Sequence, residues 1–165
     1  MSLKAYSDLG GHQLGLPYAK QYMGIYYNKE QFAKAGITRF PETWDEFYKA
    51  SKALKAKGYT PCAMATADDA YISLSMLSHL IGSSAAGLKW FSIDMQNKRF
   101  EDPVFINALT RLKDLLINYT TPDAIGGGYK KAVDNFLKEK TAMIADGPGL
   151  IQSLQTDKTL FKKIG

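Results

Sequence analysis

Apolar and polar positions along this chain switch repeatedly between the two-residue period of strands and the longer period of helices. Gly24-Ile25-Tyr26-Tyr27 is a short β-branched and aromatic run, the composition of a strand. Asn28, with Gln31 three residues on, has the form of a helix N-cap, and the helix through Phe32 and Ala33 is predicted to stop at Gly36. Thr43 and Glu46 stand at capping-box spacing, and Trp44, Phe47, Ser51 and Leu54 recur on one face of a helix that Gly58 ends. Thr60 to Ala65 reads as a buried strand. Tyr71 to Ile81 is apolar on most faces, which predicts an interior helix, with Asp69 suited to its N-cap and Gly82 closing it. Asp102-Pro103 opens another helix, whose buried stripe is predicted to be Phe105, Leu109, Leu112 and Leu116. The glycines at 126 to 128 predict a turn or hinge before a helix holding Val133, Phe136 and Leu137. Thr141 to Ala145 is a further short strand, and Gly147-Pro148 starts a last helix through Leu150, Ile151 and Leu154.

Helices outnumber strands and alternate with them, so the pattern predicts an α/β fold with a small sheet. A chain of 165 residues, 45% hydrophobic and 22% charged, is expected to be a single domain, residues 1–165, that buries its core without disulfides or metals. The start, Met1-Ser2-Leu3-Lys4, is too short and polar for a signal peptide, so either the protein stays in the cytosol or its leader lies outside this sequence. The single cysteine, Cys62, leaves no internal disulfide and reads as a small apolar strand residue. A net charge of +5, from 21 basic and 16 acidic residues without a dense basic run, is a solvated surface and not a nucleic-acid footprint.

Catalytic signals are sparse. His12 lies in a polar lead-in and His79 inside an apolar helix, with neither the histidine pairing nor the cysteine spacing of a metal site, so no metal, cofactor or catalytic residue is assigned. There is no Gly-x-Ser-x-Gly elbow, and the glycine triplet lacks the Lys-Ser/Thr of a phosphate loop. Asp68 and Asp69 are neighbours, poorly disposed to flank a glycosidic bond, whereas Asp69 suits capping or a sugar hydroxyl. Ten tyrosines and loop carboxylates fit carbohydrate, whose C–H faces pack on rings and whose hydroxyls need fixed polar partners.

The order of several motifs is more specific than any one of them. Leu16-Pro17-Tyr18 followed by Gly24-Ile25-Tyr26-Tyr27-Asn28-Lys29 resembles the opening strand of family 1 extracellular solute-binding proteins, the maltose-binding-protein-like group. Phe32-Ala33-Lys34-Ala35-Gly36-Ile37 and then Pro41-Glu42-Thr43-Trp44-Asp45-Glu46-Phe47 resemble that family's most recognisable stretch. Phe136-Leu137-Lys138-Glu139-Lys140-Thr141-Ala142-Met143 and Asp146-Gly147-Pro148 are similar to its segment at the second-lobe pocket, so the likeness runs from about Gly15 to Leu150.

The resemblance implies a helix-rich α/β lobe with a small mixed sheet, like one lobe of a type II periplasmic-binding-protein fold. It implies most of the second lobe of a two-lobed receptor, with the first lobe and the C-terminal helices outside this sequence. Such a receptor closes on a sugar or oligosaccharide by a hinge motion and delivers it to the permease subunits of an ABC importer. It sits at the extracellular membrane face or in the periplasm, in some members lipid-anchored, and binds no nucleic acid. The ligand-binding residues it implies are Asp69, Tyr71, Tyr18, Tyr26 and Gly149. Gly149 stands where family members often carry an aromatic residue, which removes a favoured stacking platform. Two other readings are a carbohydrate-active hydrolase using Asp68, Asp69 or Glu101, and a helical interaction module whose basic face meets nucleic acid or anionic lipid.

Overall fold

A computed structural model describes residues 12–16, 22–93 and 96–165. Strand β1 (Gly24–Tyr27) is followed by α1 (Lys29–Lys34), α2 (Trp44–Ala56), β2 (Thr60–Ala63), α3 (Tyr71–Gly82) and α4 (Ala85–Phe91). Then come α5 (Pro103–Asn118), α6 (Tyr129–Leu137), β3 (Thr141–Asp146), α7 (Leu150–Gln155) and α8 (Lys158–Lys163). The described strands form one mixed sheet in the order β1-β3-β2, with β1 antiparallel and β2 parallel to β3. All six residues of the central strand are buried, which its near-continuous apolar sequence anticipates for a strand covered on both faces. Met143, Ile144, Phe136, Ile72, Leu54 and Leu150 meet in one core around it.

Capping chemistry sets most helix starts. Asn28 Oδ1 accepts from the backbone N–H groups of Glu30 and Gln31, at 3.0 and 3.1 Å. Asp102 Oδ1 accepts from Val104 N at 2.8 Å, with Pro103 in the first turn. Only half of the expected Thr43/Glu46 box forms: Glu46 N donates to Thr43 Oγ1, but the Glu46 carboxylate accepts from Glu42 N at 2.9 Å and pairs with Arg39. Gly36 and Gly58 take left-handed backbone at φ 75° and 82°, where the helix-stop reading places them.

Several expectations need correction. β2 ends at Ala63, two residues early, because Met64 and Ala65 leave the ladder while staying buried. The N-cap of α3 is Ala70, in left-handed backbone, and Asp69 caps from one residue before, accepting from Tyr71 N at 3.1 Å. Helix α3 is not interior all round, since Leu74 is 54% exposed beside an exposed Ser78. Helix α5 buries Ala108, Leu112 and Leu115, leaving Leu109 exposed and Phe105 and Leu116 half-buried, because its partner α3 meets it one residue round from the predicted stripe. Helices α4 and α8 have no counterpart in the sequence reading. Cys62 is buried in β2, where burial pushes its thiol up to about 12, as a structural cysteine requires.

Candidate functional site

Because β2 and β3 run parallel, the loops that follow them emerge at the same end of the sheet, the end where open α/β sheets bind ligands. The loop after β2 is stitched to the glycine triplet. Thr66 N donates to the carbonyls of Ala124 and Gly127, Ala67 N to Gly127, and Gly126 N to Thr66 Oγ1. The triplet therefore serves as a turn, with Gly126 at φ 80°, and a methyl group at position 128 would collide with the Asp68 carboxylate. Two non-glycine residues of the loop, Asp68 at φ 57° and Ala70 at φ 50°, occupy left-handed backbone. Strain of this kind, of order 1–3 kcal/mol per residue, gathers at ligand sites and persists only where surrounding contacts enforce it.

An open depression of about 450 Å³ lies between these loops, lined by Asp68, Asp69, Tyr71, Tyr129, Asp146, Gly147 and Gly149. The rings of Tyr71 and Tyr129 meet edge-to-face, 5.9 Å apart at 74°. Asp146, the last residue of β3, is only 3% exposed. It accepts from Tyr129 Oη at 2.9 Å and from Gly147 N at 2.7 Å. Burial raises its carboxyl above the ordinary carboxylate value, and these two donors hold the rise back. Burial and the bond to Asp146 push the Tyr129 hydroxyl up to about 12. Tyr71 is raised by burial and by the charges of Asp146 and Asp69, so each hydroxyl is a neutral donor at physiological pH.

Of the residues assigned from sequence, Asp69, Tyr71 and Gly149 converge on this depression. Tyr26 stands behind it: its hydroxyl donates to Gly147 O at 3.1 Å and so braces the loop after β3. Tyr18 lies outside the described residues. Glu101, the third acid of the hydrolase reading, does not line the depression. Tyr129 and Asp146 also line the depression, and the sequence reading did not single them out. The signal that finds them is topological: a helix start and a strand end delivered to the sheet edge from which the β2 loop also emerges.

A larger groove of about 740 Å³ runs between α3, the start of β1 and the start of α2, lined by Tyr22, Met23, Trp44, Phe47 and His79 among others. The smaller depression is the better candidate despite its size, because it lies at the end of the parallel pair β2 and β3 and brings two tyrosines together with three carboxylates. Among the described residues, no group of three His, Cys, Asp or Glu side chains is placed to hold a metal ion.

The family described as bacterial extracellular solute-binding protein matches residues 2–164. The chain is 30% identical over 153 residues to a multiple sugar-binding protein of Streptococcus mutans, covering 89% of this chain and 36% of that one. It is 27% identical over 150 residues to an sn-glycerol-3-phosphate-binding periplasmic protein of Brucella abortus, covering 87% and 34%. Among solved structures, a chitin oligosaccharide binding protein superposes with a TM-score of 0.86 at 32% identity, over 99% of this chain and 41% of that one. The chain thus spans about a third of the length of these curated relatives.

Proposed function

This chain belongs to the bacterial extracellular solute-binding protein family, and we propose that it forms most of the second lobe of a receptor that captures a sugar or oligosaccharide for an ABC importer. Its helix-rich α/β fold is that of one lobe of a periplasmic-binding protein. The observation that carries the reading is the convergence of Tyr71 and Tyr129 with Asp68, Asp69 and Asp146 in one open depression. Tyrosine faces take the C–H faces of a pyranose, and exposed carboxylates take its hydroxyls. The proposed role is binding without turnover: the buried acid, Asp146, is committed to two internal donors, and Asp68 and Asp69 are chain neighbours, poorly disposed to flank a scissile bond.

In this proposal the solute rests on the depression and a second lobe, outside this sequence, closes over it. Closure is favoured only by the extra contacts the solute makes in the closed form. Asp69 and Tyr71 contact the ligand directly, with Tyr18 a further contact in the same scheme, while Tyr26 positions the loop that carries Gly149. The receptor works outside the cytoplasmic membrane, free or lipid-anchored, and hands its cargo to permease subunits.

Calorimetry of the full-length receptor against mono- and oligosaccharides tests this. A sugar that binds the wild type, and binds the Tyr71→Ala or Tyr129→Ala variant at least about tenfold more weakly, a loss of about 1.4 kcal/mol, is the expected result. Sugar binding that both variants leave unchanged would refute the placement of the site.

A further inference from the structure

We infer that the depression selects its solute by charge, taking uncharged saccharides and rejecting phosphorylated or carboxylated ones. The inference rests on the site proposed above. Among the described residues that line it, Asp68, Asp69 and Asp146 are carboxylates and none is Lys, Arg or His. The local sign is opposite to that of the whole chain, whose net charge is +5. The cations nearest in sequence are turned away along α6: Lys130 pairs with Asp134 at 3.0 Å and Lys131 with Asp123 at 3.2 Å.

Three donors that an anion could use here are bonded to the protein's own carboxylates. The start of a helix as long as α3 ordinarily offers N–H groups and a positive dipole end to a phosphate. Here the N–H of Tyr71 donates to Asp69 Oδ1 at 3.1 Å. Gly147 N, at the end of β3, and the Tyr129 hydroxyl both donate to Asp146. An incoming phosphate, carrying about −1.5 to −2 at neutral pH, would meet three like charges and few free donors. A sugar hydroxyl can donate to the same oxygens that repel a phosphate.

The test uses the full-length receptor and matched pairs differing only in charge: glycerol with sn-glycerol 3-phosphate, and galactose and glucose each with its 6-phosphate and its uronate. Dissociation constants are measured at about 20 mM and about 300 mM salt, because screening weakens repulsion. The expected anionic member binds at least about a hundredfold more weakly than its neutral partner, with a gap that narrows in high salt. In an Asp68→Asn/Asp69→Asn double variant the gap narrows by about tenfold or more. Asn tolerates the left-handed backbone at position 68 and keeps an acceptor oxygen at position 69, so the fold survives, and an unchanged melting temperature checks it. Equal or tighter binding of an anionic member, or a gap unmoved by both salt and the double variant, would overturn the inference. A sugar phosphate preferred over its parent sugar leaves the sugar reading standing and defeats the charge inference. A neutral polyol that binds when no sugar does, and whose phosphate does not, has the opposite effect.

Discussion

Removing one oxygen, in Tyr129→Phe, isolates the bond on which the depression depends most. The Tyr129 hydroxyl is one of two donors to Asp146, and that carboxylate is 3% exposed, so water cannot readily replace the lost donor. A hydrogen bond to a charged group contributes about 1.5–3 kcal/mol; Tyr129 is 37% exposed, so the lower end, about 1.5 kcal/mol, applies. For a domain of this size that is a fall of about 3–6 °C in melting temperature. The loss must also depend on pH. The folded carboxyl of Asp146 already titrates above its ordinary value of 3.8, so the folded state binds more protons than the unfolded one in the window between the two values. This group's contribution to stability therefore falls as pH rises through that window. Without the Tyr129 donor its pKa rises further, so the variant is penalised more near pH 7 than near pH 4, where protonation begins to remove the charge that the bond stabilises. Urea titrations of both proteins at about pH 7 and about pH 4 read the effect directly. An equal loss at both pH values, or none at pH 7, would refute the account of Asp146 as a buried ion held by two donors.

Gly149 has helical backbone, φ −60° and ψ −29°, and open space where a Cβ would stand, so Gly149→Trp should fold normally. Calorimetry on any sugar found to bind is expected to show an affinity gain of about two- to tenfold, the magnitude of one added aromatic contact. The Cys62 thiol, buried and pushed up to about 12, should react with a thiol reagent only at the rate at which the native protein opens, and at once in denaturant; fast native labelling would contradict its burial.

What the sequence made legible was whatever short-range chemistry decides. The strand at Gly24–Tyr27, the caps at Asn28 and Asp102, and the glycine stops at 36 and 58 are each settled within a few residues of chain. Errors arose where a distant partner decides. Leu109 fits the expected stripe of α5 by period alone, but the helix is rotated by its contact with α3, and no local pattern contains that rotation. The lining of the candidate site was legible only in part for the same reason. Asp69 and Tyr71 are adjacent to one helix start, whereas Asp146 and Tyr129 join them only because β3 pairs in parallel with β2. Tyr26 was recognised as near the site, but its hydroxyl is turned to the carbonyl of Gly147, a contact spanning most of the chain.

The position of Asp146 at the end of a wholly buried strand divides the candidate site into a fixed part and a part open to substitution. Shifting that carboxylate means moving β3, and β3 is bonded to a neighbour on each side, so both ladders would have to break. Asp68 and Asp69, in contrast, are exposed on the loop before α3, and Gly149 faces open space, so their side chains can change without moving a strand. In the proposed receptor, a change of solute preference is therefore expected from new side chains at 68, 69 and 149, on a mount whose geometry stays constant.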